Sequence, residues 1–231
     1  MVKIFADGAD KNIMLEMYNN PIIFGLTTNP TLMRKAGVSN YKEFSLDILS
    51  KIKEMPISFE IFSDDLEIME KQALEISSWG KNVYVKIPIT NTKGESTYHI
   101  IENLSKKGVK INVTAIMTIE QVKHILPAFT LSTAGYISIF AGRIADTGIN
   151  PINTMKEAVI ELENYPNIEL IWASCRELYN IVQANEVGCH IITIPNDILK
   201  KIHMFEKNLT ELSLDTIKIF YNDAKSSGFY I

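Results

Sequence analysis

The chain has 231 residues, of which 46% are hydrophobic and 22% charged, so wholesale disorder is excluded. At about 150 residues per domain, this length allows one large domain or two small ones with a full hydrophobic core. Asp and Glu number 27 against 23 Lys and Arg, and the net charge of −4 comes with no basic run. This balance predicts no nucleic-acid partner.

The sequence indicates a cytoplasmic protein without a bound cofactor. No stretch approaches the roughly 20 apolar residues of a membrane span, so we expect no membrane association. The opening MVKIFADGADKN lacks the apolar run of a signal peptide, and the two cysteines cannot form a disulfide framework. The four histidines show no metal-ligand spacing, and no glycine-rich nucleotide-binding loop is present. We therefore expect neither a metal nor an organic cofactor.

Short apolar runs rich in β-branched residues recur along the chain, and each precedes a segment with helical spacing. The runs are 2–6, 22–26, 57–62, 83–89, 110–117, 136–141, 168–174 and 190–195. The clearest helical segments are 66–79, 96–108, 119–126 and 152–164. Gly80, Gly108 and Gly188 are expected at helix C-termini, and Thr118 at a helix N-cap.

The strand runs are almost continuously apolar, as expected of parallel strands buried on both faces. Eight strand-then-helix units predict an α/β protein built as a single (β/α)8 TIM barrel over residues 1–231, rather than an open doubly wound sheet. Residues 208–231 follow the eighth strand and predict an extra C-terminal helix. We expect this helical arm to pack on the barrel or to dock at an oligomer interface.

Lys86 is the most informative residue of the sequence. It lies within VYVKIPI, between apolar residues of a predicted central strand, so its side chain is expected inside the barrel. Burial of an unpaired ammonium group is costly, which favours the neutral amine. A neutral lysine amine is the nucleophile that forms a Schiff base with a carbonyl compound.

Polar residues lie in or just after nearly every predicted strand. In a (β/α)8 barrel the C-terminal ends of the strands form the active site, so these residues are expected to meet there. A lysine with carboxylates, hydroxyls and two arginines predicts a phosphorylated carbonyl substrate, with the arginines on the phosphate. The set comprises Asp7, Thr27, Thr28, Asn29, Glu60, Asn112, Thr114, Ser138, Arg143, Ser174 and Arg176.

In order and spacing, a series of motifs resembles the small members of the transaldolase family, which include the fructose-6-phosphate aldolases. The motifs are FADGAD (5–10), GLTTNPTL (25–32), SFEIF (58–62), VKIPIT (85–90), INVTAIMT (111–118), SIFAGRIADTG (138–148), WASCRE (172–177) and ITIPNDIL (192–199). The resemblance implies a class I aldolase barrel that acts through a lysine Schiff base, without a metal or an organic cofactor.

The resemblance also implies a role for each matched residue. Lys86 would form the Schiff base, Asp7 would transfer the proton during carbon–carbon cleavage, and Glu60 and Thr114 would hold a catalytic water. The substrate would be bound by Thr28, Asn29, Asn112, Ser138 and Phe140, and its phosphate by Arg143, Ser174 and Arg176.

The leading hypothesis is a transaldolase that moves a dihydroxyacetone unit from sedoheptulose 7-phosphate or fructose 6-phosphate to an aldose phosphate. One alternative is an aldolase that releases dihydroxyacetone from fructose 6-phosphate; others are an enzyme for a specialised sugar and a catalytically idle barrel. In the aldolase subgroup Gln and Tyr tend to stand where this chain has Glu60 and Phe140, so the resemblance favours transfer. It also implies a homo-oligomer, either a pentamer or a decamer.

Overall fold

The computed structural model describes residues 1–230, and its eight parallel strands close into a barrel in chain order. The last strand pairs with the first, which completes the ring. The strands are β1 (Lys3–Asp7), β2 (Ile23–Thr27), β3 (Ile57–Glu60), β4 (Val83–Pro88), β5 (Ile111–Ile116), β6 (Gly135–Ile139), β7 (Ile168–Trp172) and β8 (Ile191–Pro195). The prediction of a closed (β/α)8 barrel is confirmed.

Helices alternate with the strands. They are α1 (Lys11–Tyr18), α2 (Pro30–Lys35), α3 (Tyr41–Lys51), α4 (Leu66–Ser77), α5 (Tyr98–Lys106), α6 (Ile119–Ile125), α7 (Ala141–Asp146), α8 (Ile152–Leu162), α9 (Asn180–Glu186), α10 (Asn196–Leu199) and α11 (Leu209–Ser226). The four helical segments predicted most clearly are confirmed as α4, α5, α6 and α8. No helix within residues 1–230 is both long enough and apolar enough to cross a membrane.

Most of the predicted helix boundaries are confirmed. Thr118 caps α6 in a capping box with Gln121. Gly108 and Gly188 follow α5 and α9 with φ of 77° and 78°, a conformation that glycine adopts without strain. The prediction for Gly80 was wrong, because Ser78 already closes α4 and the backbone at position 80 keeps a negative φ.

The third strand is shorter than the predicted run 57–62. It ends at Glu60, the last of its residues that pairs with β4, and β2 pairs with it only at Ile57 and Ser58. Phe62 lies beyond the strand with 63% of its surface exposed. The shortening leaves the β2-facing edge of β3 without a neighbouring strand at Glu60.

Three aromatic side chains and three aliphatic ones form a buried cluster in the barrel interior. Tyr84 and Tyr136 stack with their ring centres 4.0 Å apart, and Phe5 meets Tyr136 edge-on at 5.8 Å. The Phe5 ring fits because Gly25 has no side chain; a Cβ there would lie 2.4 Å from it. Since side chains on a strand alternate between its two faces, Lys86 lies one layer above Tyr84 on the same interior face. The packed lower layer therefore confines the polar residues to the C-terminal end of the barrel.

The chain divides into two compact units, and the first, residues 1–199, contains the whole barrel. In the second unit, Asn208 caps α11 by accepting hydrogen bonds from the backbone of Thr210 and Glu211. The α11 helix covers most of the predicted arm 208–231, whose last residue, Ile231, lies outside the described residues. Large apolar side chains are exposed along this unit, among them Leu214, Ile217, Phe220 and Tyr221. The role of the arm and the pentameric or decameric assembly stay predictions.

Candidate active site

The side chain of Lys86 lies inside the barrel and is almost completely buried, with 6% of the residue exposed. The register places Lys86 opposite Glu60, and the Lys86 Nζ lies 3.3 Å from the Glu60 Oε2. The Nζ also donates a hydrogen bond of 3.1 Å to the backbone carbonyl of Thr28. These two oxygens stabilise a buried amine that would otherwise carry a large desolvation cost.

Asp7 ends β1 and is close enough to Lys86 for the two charges to interact. The Thr27 hydroxyl donates a 2.8 Å hydrogen bond to the Asp7 Oδ1, and it shares a further one with the Thr193 hydroxyl at 2.5 Å. Burial raises the pKa of the Asp7 carboxyl above its ordinary value, and the Lys86 charge opposes this shift only in part. A raised pKa suits a carboxyl group that both accepts and returns a proton.

Asn112 occupies the strand position next to Lys86 on the other side. Its Oδ1 accepts a 2.7 Å hydrogen bond from the Ser138 hydroxyl, and its Nδ2 donates one of 3.0 Å to the Ser58 Oγ. The sequence reasoning did not identify Ser58. Its position two residues before Glu60 on β3, and hence on the same interior face, is the signal that could have found it.

Thr114 offers an unused hydroxyl group at the barrel mouth. It lies two residues beyond Asn112 on β5 and only 1% of it is exposed. Its Oγ1 has no hydrogen-bond partner within residues 1–230. A buried hydroxyl without a protein partner is costly unless a water or a substrate atom completes its bonding. The Thr114 hydroxyl is therefore available for the water-holding role that the family resemblance implies, and that role stays a prediction.

Thr28 and Asn29 use their side chains to shape the loop after β2. The Thr28 hydroxyl donates to the carbonyl of Ser58 at 2.8 Å, and the Asn29 Oδ1 caps α2 by accepting from the backbone N–H of Leu32 at 3.0 Å. Thr28 thus contacts Lys86 through its backbone carbonyl rather than through its hydroxyl. Substrate binding by these two residues stays a prediction.

The predicted phosphate-binding residues lie together at the rim. Gly142 on α7 packs so tightly against the loop after β7 that a Cβ there would lie 1.6 Å from the Ser174 carbonyl oxygen. Ser174 itself has a φ of 65°, a left-handed conformation that is uncommon for a residue other than glycine. The Arg143 guanidinium is exposed and lies 5.6 Å from the ring centre of the half-buried Phe140. Arg143, Phe140 and Ser174 therefore share one edge of the barrel mouth.

Arg176 is already engaged in a bidentate ion pair. Its Nε lies 3.1 Å from the Asp146 Oδ1, and its Nη2 lies 2.5 Å from the Oδ2. The two arginines at positions 176 and 143 hold the pKa of the Asp146 carboxyl below its usual range. Sequence reasoning missed Asp146, although it lies three residues after Arg143 in the same motif. The pairing uses the Nε edge of Arg176 and leaves the Nη1 side of the guanidinium for another acceptor.

This arrangement is suited to imine chemistry. The amine of Lys86 can attack a carbonyl carbon, the Glu60 carboxylate beside it can exchange protons with water, and Asp7 can serve as a second proton carrier. The guanidinium groups at the rim carry the positive charge that a phosphate needs. Within residues 1–230, no three His, Cys, Asp or Glu side chains are grouped so that they could hold a metal ion.

Comparison with known proteins shows the family of this chain. The model of the family described as transaldolase/fructose-6-phosphate aldolase matches residues 4–230. A protein of Caldicellulosiruptor saccharolyticus named probable transaldolase is 38% identical, and the match covers 93% of this chain and 94% of that protein. A probable transaldolase of Thermoanaerobacter sp. is 34% identical over the whole of both chains, and a probable transaldolase 2 of Listeria monocytogenes is 33% identical over 87% and 88%. The chain therefore belongs to the transaldolase/fructose-6-phosphate aldolase family.

Proposed function

We propose that this protein is a transaldolase that transfers a dihydroxyacetone unit from a ketose phosphate to an aldose phosphate through a Schiff base on Lys86. The observation that carries the proposal is the buried Lys86 amine, which lies 3.3 Å from a carboxylate at the mouth of the barrel. Family membership and the relatives named probable transaldolase support it. Sedoheptulose 7-phosphate and fructose 6-phosphate are the proposed donors.

The proposed reaction begins with attack of the neutral Lys86 amine on the ketose carbonyl. The carbinolamine that forms loses water to give the imine, and Glu60 with the Thr114 hydroxyl holds that water and moves its proton. Asp7 then takes the proton of the C4 hydroxyl while the C3–C4 bond breaks. The aldose phosphate leaves, and the bond electrons remain on the three-carbon unit as an enamine.

The second half of the proposed reaction reverses these steps with a new aldehyde. The enamine carbon attacks the carbonyl carbon of the acceptor, and Asp7 returns its proton to the new alkoxide. Water then hydrolyses the imine and frees Lys86. Asn112, fixed by Ser58 and Ser138, is placed to bind hydroxyl groups of the three-carbon unit throughout.

Reductive trapping tests this proposal. The protein is mixed with fructose 6-phosphate and borohydride, which reduces an imine to a stable secondary amine. The protein is then digested, and mass spectrometry measures the masses of its peptides. We expect the mass of the reduced dihydroxyacetone adduct on the peptide that contains Lys86. A wild-type protein without this adduct would contradict both transfer and simple aldol cleavage.

Arg143→Ala should lower kcat/KM for phosphorylated donors by about ten- to a hundred-fold. A charge-assisted hydrogen bond to phosphate contributes roughly 1.5–3 kcal/mol, and about 1.4 kcal/mol corresponds to a factor of ten. Steady-state assays with fructose 6-phosphate and with unphosphorylated fructose measure the effect. The loss should be much smaller for fructose, because that substrate lacks the phosphate.

Arg143→Lys is the matched variant, since it keeps the charge but not the forked geometry, and its loss should be intermediate. Equal losses for the phosphorylated and unphosphorylated sugars would make Arg143 a structural residue. The same pair of assays on Asp146→Asn reports whether the ion pair to Arg176 is needed to hold that guanidinium in place.

Phe140→Tyr, combined with Glu60→Gln, should raise the release of dihydroxyacetone relative to its transfer. Phe140 is half-buried, packs against the aromatic cluster of the barrel and follows directly after β6, so it presents an apolar ring at the barrel mouth. A tyrosine hydroxyl there would help to position hydrolytic water. The double variant carries the pair of residues that the aldolase subgroup tends to have at these two positions. Free dihydroxyacetone formed from fructose 6-phosphate, with and without erythrose 4-phosphate, measures this partition.

The wild-type protein is the reference in this assay, and we expect it to transfer much faster than it releases. Phe140→Leu is the control, because it changes the shape of the side chain without adding a hydroxyl. Wild-type release at a rate comparable to transfer would replace the transaldolase proposal with that of a fructose-6-phosphate aldolase.

A further inference from the structure

The carbonyl group of Glu60 has an unusual partner. Because β2 stops pairing with β3 at Ser58, no strand reaches this carbonyl from that side. The hydroxyl of Tyr41 fills the gap and donates a 2.8 Å hydrogen bond to the Glu60 oxygen. Burial raises the pKa of the Tyr41 phenol, so its hydroxyl keeps the proton that this bond requires.

Tyr41 is itself firmly held. It is the first residue of α3, a helix that Asn40 caps by accepting from the backbone of Glu43. Its ring packs among three other aromatic rings, with centre distances of 5.4 Å to Phe62, 6.0 Å to Trp79 and 6.4 Å to Phe59. Edge-on and tilted contacts of this kind restrict the ring to one orientation.

The opposite edge of β3 is held by β4. The backbone N–H of Ile61 donates to the carbonyl of Lys86 at 3.1 Å, and Glu60 lies opposite Lys86 in the register. The backbone that carries the Glu60 carboxylate is therefore fixed by Lys86 on one side and by Tyr41 on the other. Without Tyr41, the end of β3 would be tied to the sheet along a single edge.

We infer that Tyr41 is a positioning residue, which acts through Glu60 by holding the end of β3 so that the Glu60 carboxylate stays beside the Lys86 amine. The inference rests on the proposed function, in which this carboxylate moves the proton of the water lost and regained at the imine. Tyr41 touches the backbone of Glu60 and neither reacting group. Its removal should slow the formation and hydrolysis of the imine and leave the binding of the substrate nearly unchanged.

The test compares Tyr41→Phe with the wild-type protein. The change removes one hydroxyl and keeps the aromatic packing, and loss of one hydrogen bond predicts a fall in kcat of about two- to ten-fold. The KM for fructose 6-phosphate should change by less than about two-fold, because ground-state binding does not involve Tyr41. Quenched-flow borohydride trapping should show that the adduct on Lys86 forms more slowly by a similar factor.

Tyr165→Phe is the matched control. Tyr165 is a half-buried tyrosine that precedes β7, at the opposite end of the barrel from the mouth. The change removes the same atom, and kcat should stay at its wild-type value. Thermal unfolding of both variants by circular dichroism separates a loss of folded protein from a loss of rate.

A double-mutant cycle with Glu60→Gln decides whether Tyr41 acts through Glu60. If it does, Tyr41→Phe should have little further effect on kcat once the carboxylate is gone. Independent, multiplying losses would overturn the inference, and so would a normal trapping rate in Tyr41→Phe. Failure of the wild-type protein to form any adduct would instead contradict the proposed function, so the two failures are distinguishable.

Discussion

Lys86→Ala should abolish turnover, with a loss of more than about a thousand-fold in the transfer assay, and should leave the barrel folded. The imine route needs an uncharged amine beside a proton carrier, and Lys86 is the only buried lysine among residues 1–230. A coupled assay with fructose 6-phosphate and erythrose 4-phosphate measures turnover, and circular dichroism measures the fold.

Two further variants sharpen this experiment. Lys86→Met keeps most of the volume of the side chain and should be equally inactive, which separates the loss of the amine from the creation of a cavity. Lys81→Ala removes an exposed lysine just before β4, at the far end of the same strand, and should retain full activity. Activity above a few per cent in Lys86→Ala, or a borohydride adduct in it, would place the nucleophile elsewhere.

The barrel could be predicted from the sequence because its signals are local. Each strand is a short apolar run and each helix repeats its apolar residues at helical spacing, so both are visible within about ten neighbouring residues. The end of β3 shows the limit of this reasoning. The run 57–62 ends in two apolar residues, yet the strand stops at Glu60, because its length depends on how far the neighbouring strands β2 and β4 pair with it.

The candidate site could be predicted in part, because some of its residues also stand out from their immediate neighbours in the sequence. Lys86 and Glu60 stand out as charged residues inside apolar strands, and the family motifs contain both. The partners that hold them do not stand out. Tyr41 reads as an ordinary aromatic residue at a helix start, and its bond to Glu60 spans 19 positions of the sequence. Contacts of this kind depend on the closure of the barrel and leave no periodic pattern in the chain.

Asp7→Asn should lower kcat by at least about a hundred-fold, which is the lower end of the contribution of general acid–base catalysis. Asparagine has nearly the same shape and can still accept the hydrogen bond from Thr27, so the barrel mouth should keep its geometry. The Lys86 amine retains Glu60 as its partner. Because imine formation does not need Asp7, the variant should still give the borohydride adduct with dihydroxyacetone; loss of that adduct would show that Asp7 acts before carbon–carbon cleavage.

The same change should stabilise the protein at neutral pH. The ordinary pKa of Asp is 3.8, and burial raises the pKa of Asp7 in the folded protein. As the pH rises from 3.8 toward that higher value, the unfolded chain gives up its proton before the folded one does, so the wild-type protein loses stability relative to Asp7→Asn. The difference in Tm between the two should therefore be small near pH 4, grow in favour of the variant as the pH rises, and become constant above the folded pKa.

Asp47→Asn is the control of opposite sign in this experiment. Hydrogen bonding to Lys11 holds the pKa of the partly exposed Asp47 below its ordinary value, so the wild-type protein should gain a little stability over that variant as the pH rises. The contradicting result would be a wild-type protein that gains stability over Asp7→Asn as the pH rises, as it should over Asp47→Asn. That result would mean that the Asp7 carboxyl is ionised in the folded barrel at little cost in stability. Opposite trends would instead show that the folded barrel raises the pKa of the buried Asp7 carboxyl at a cost in stability.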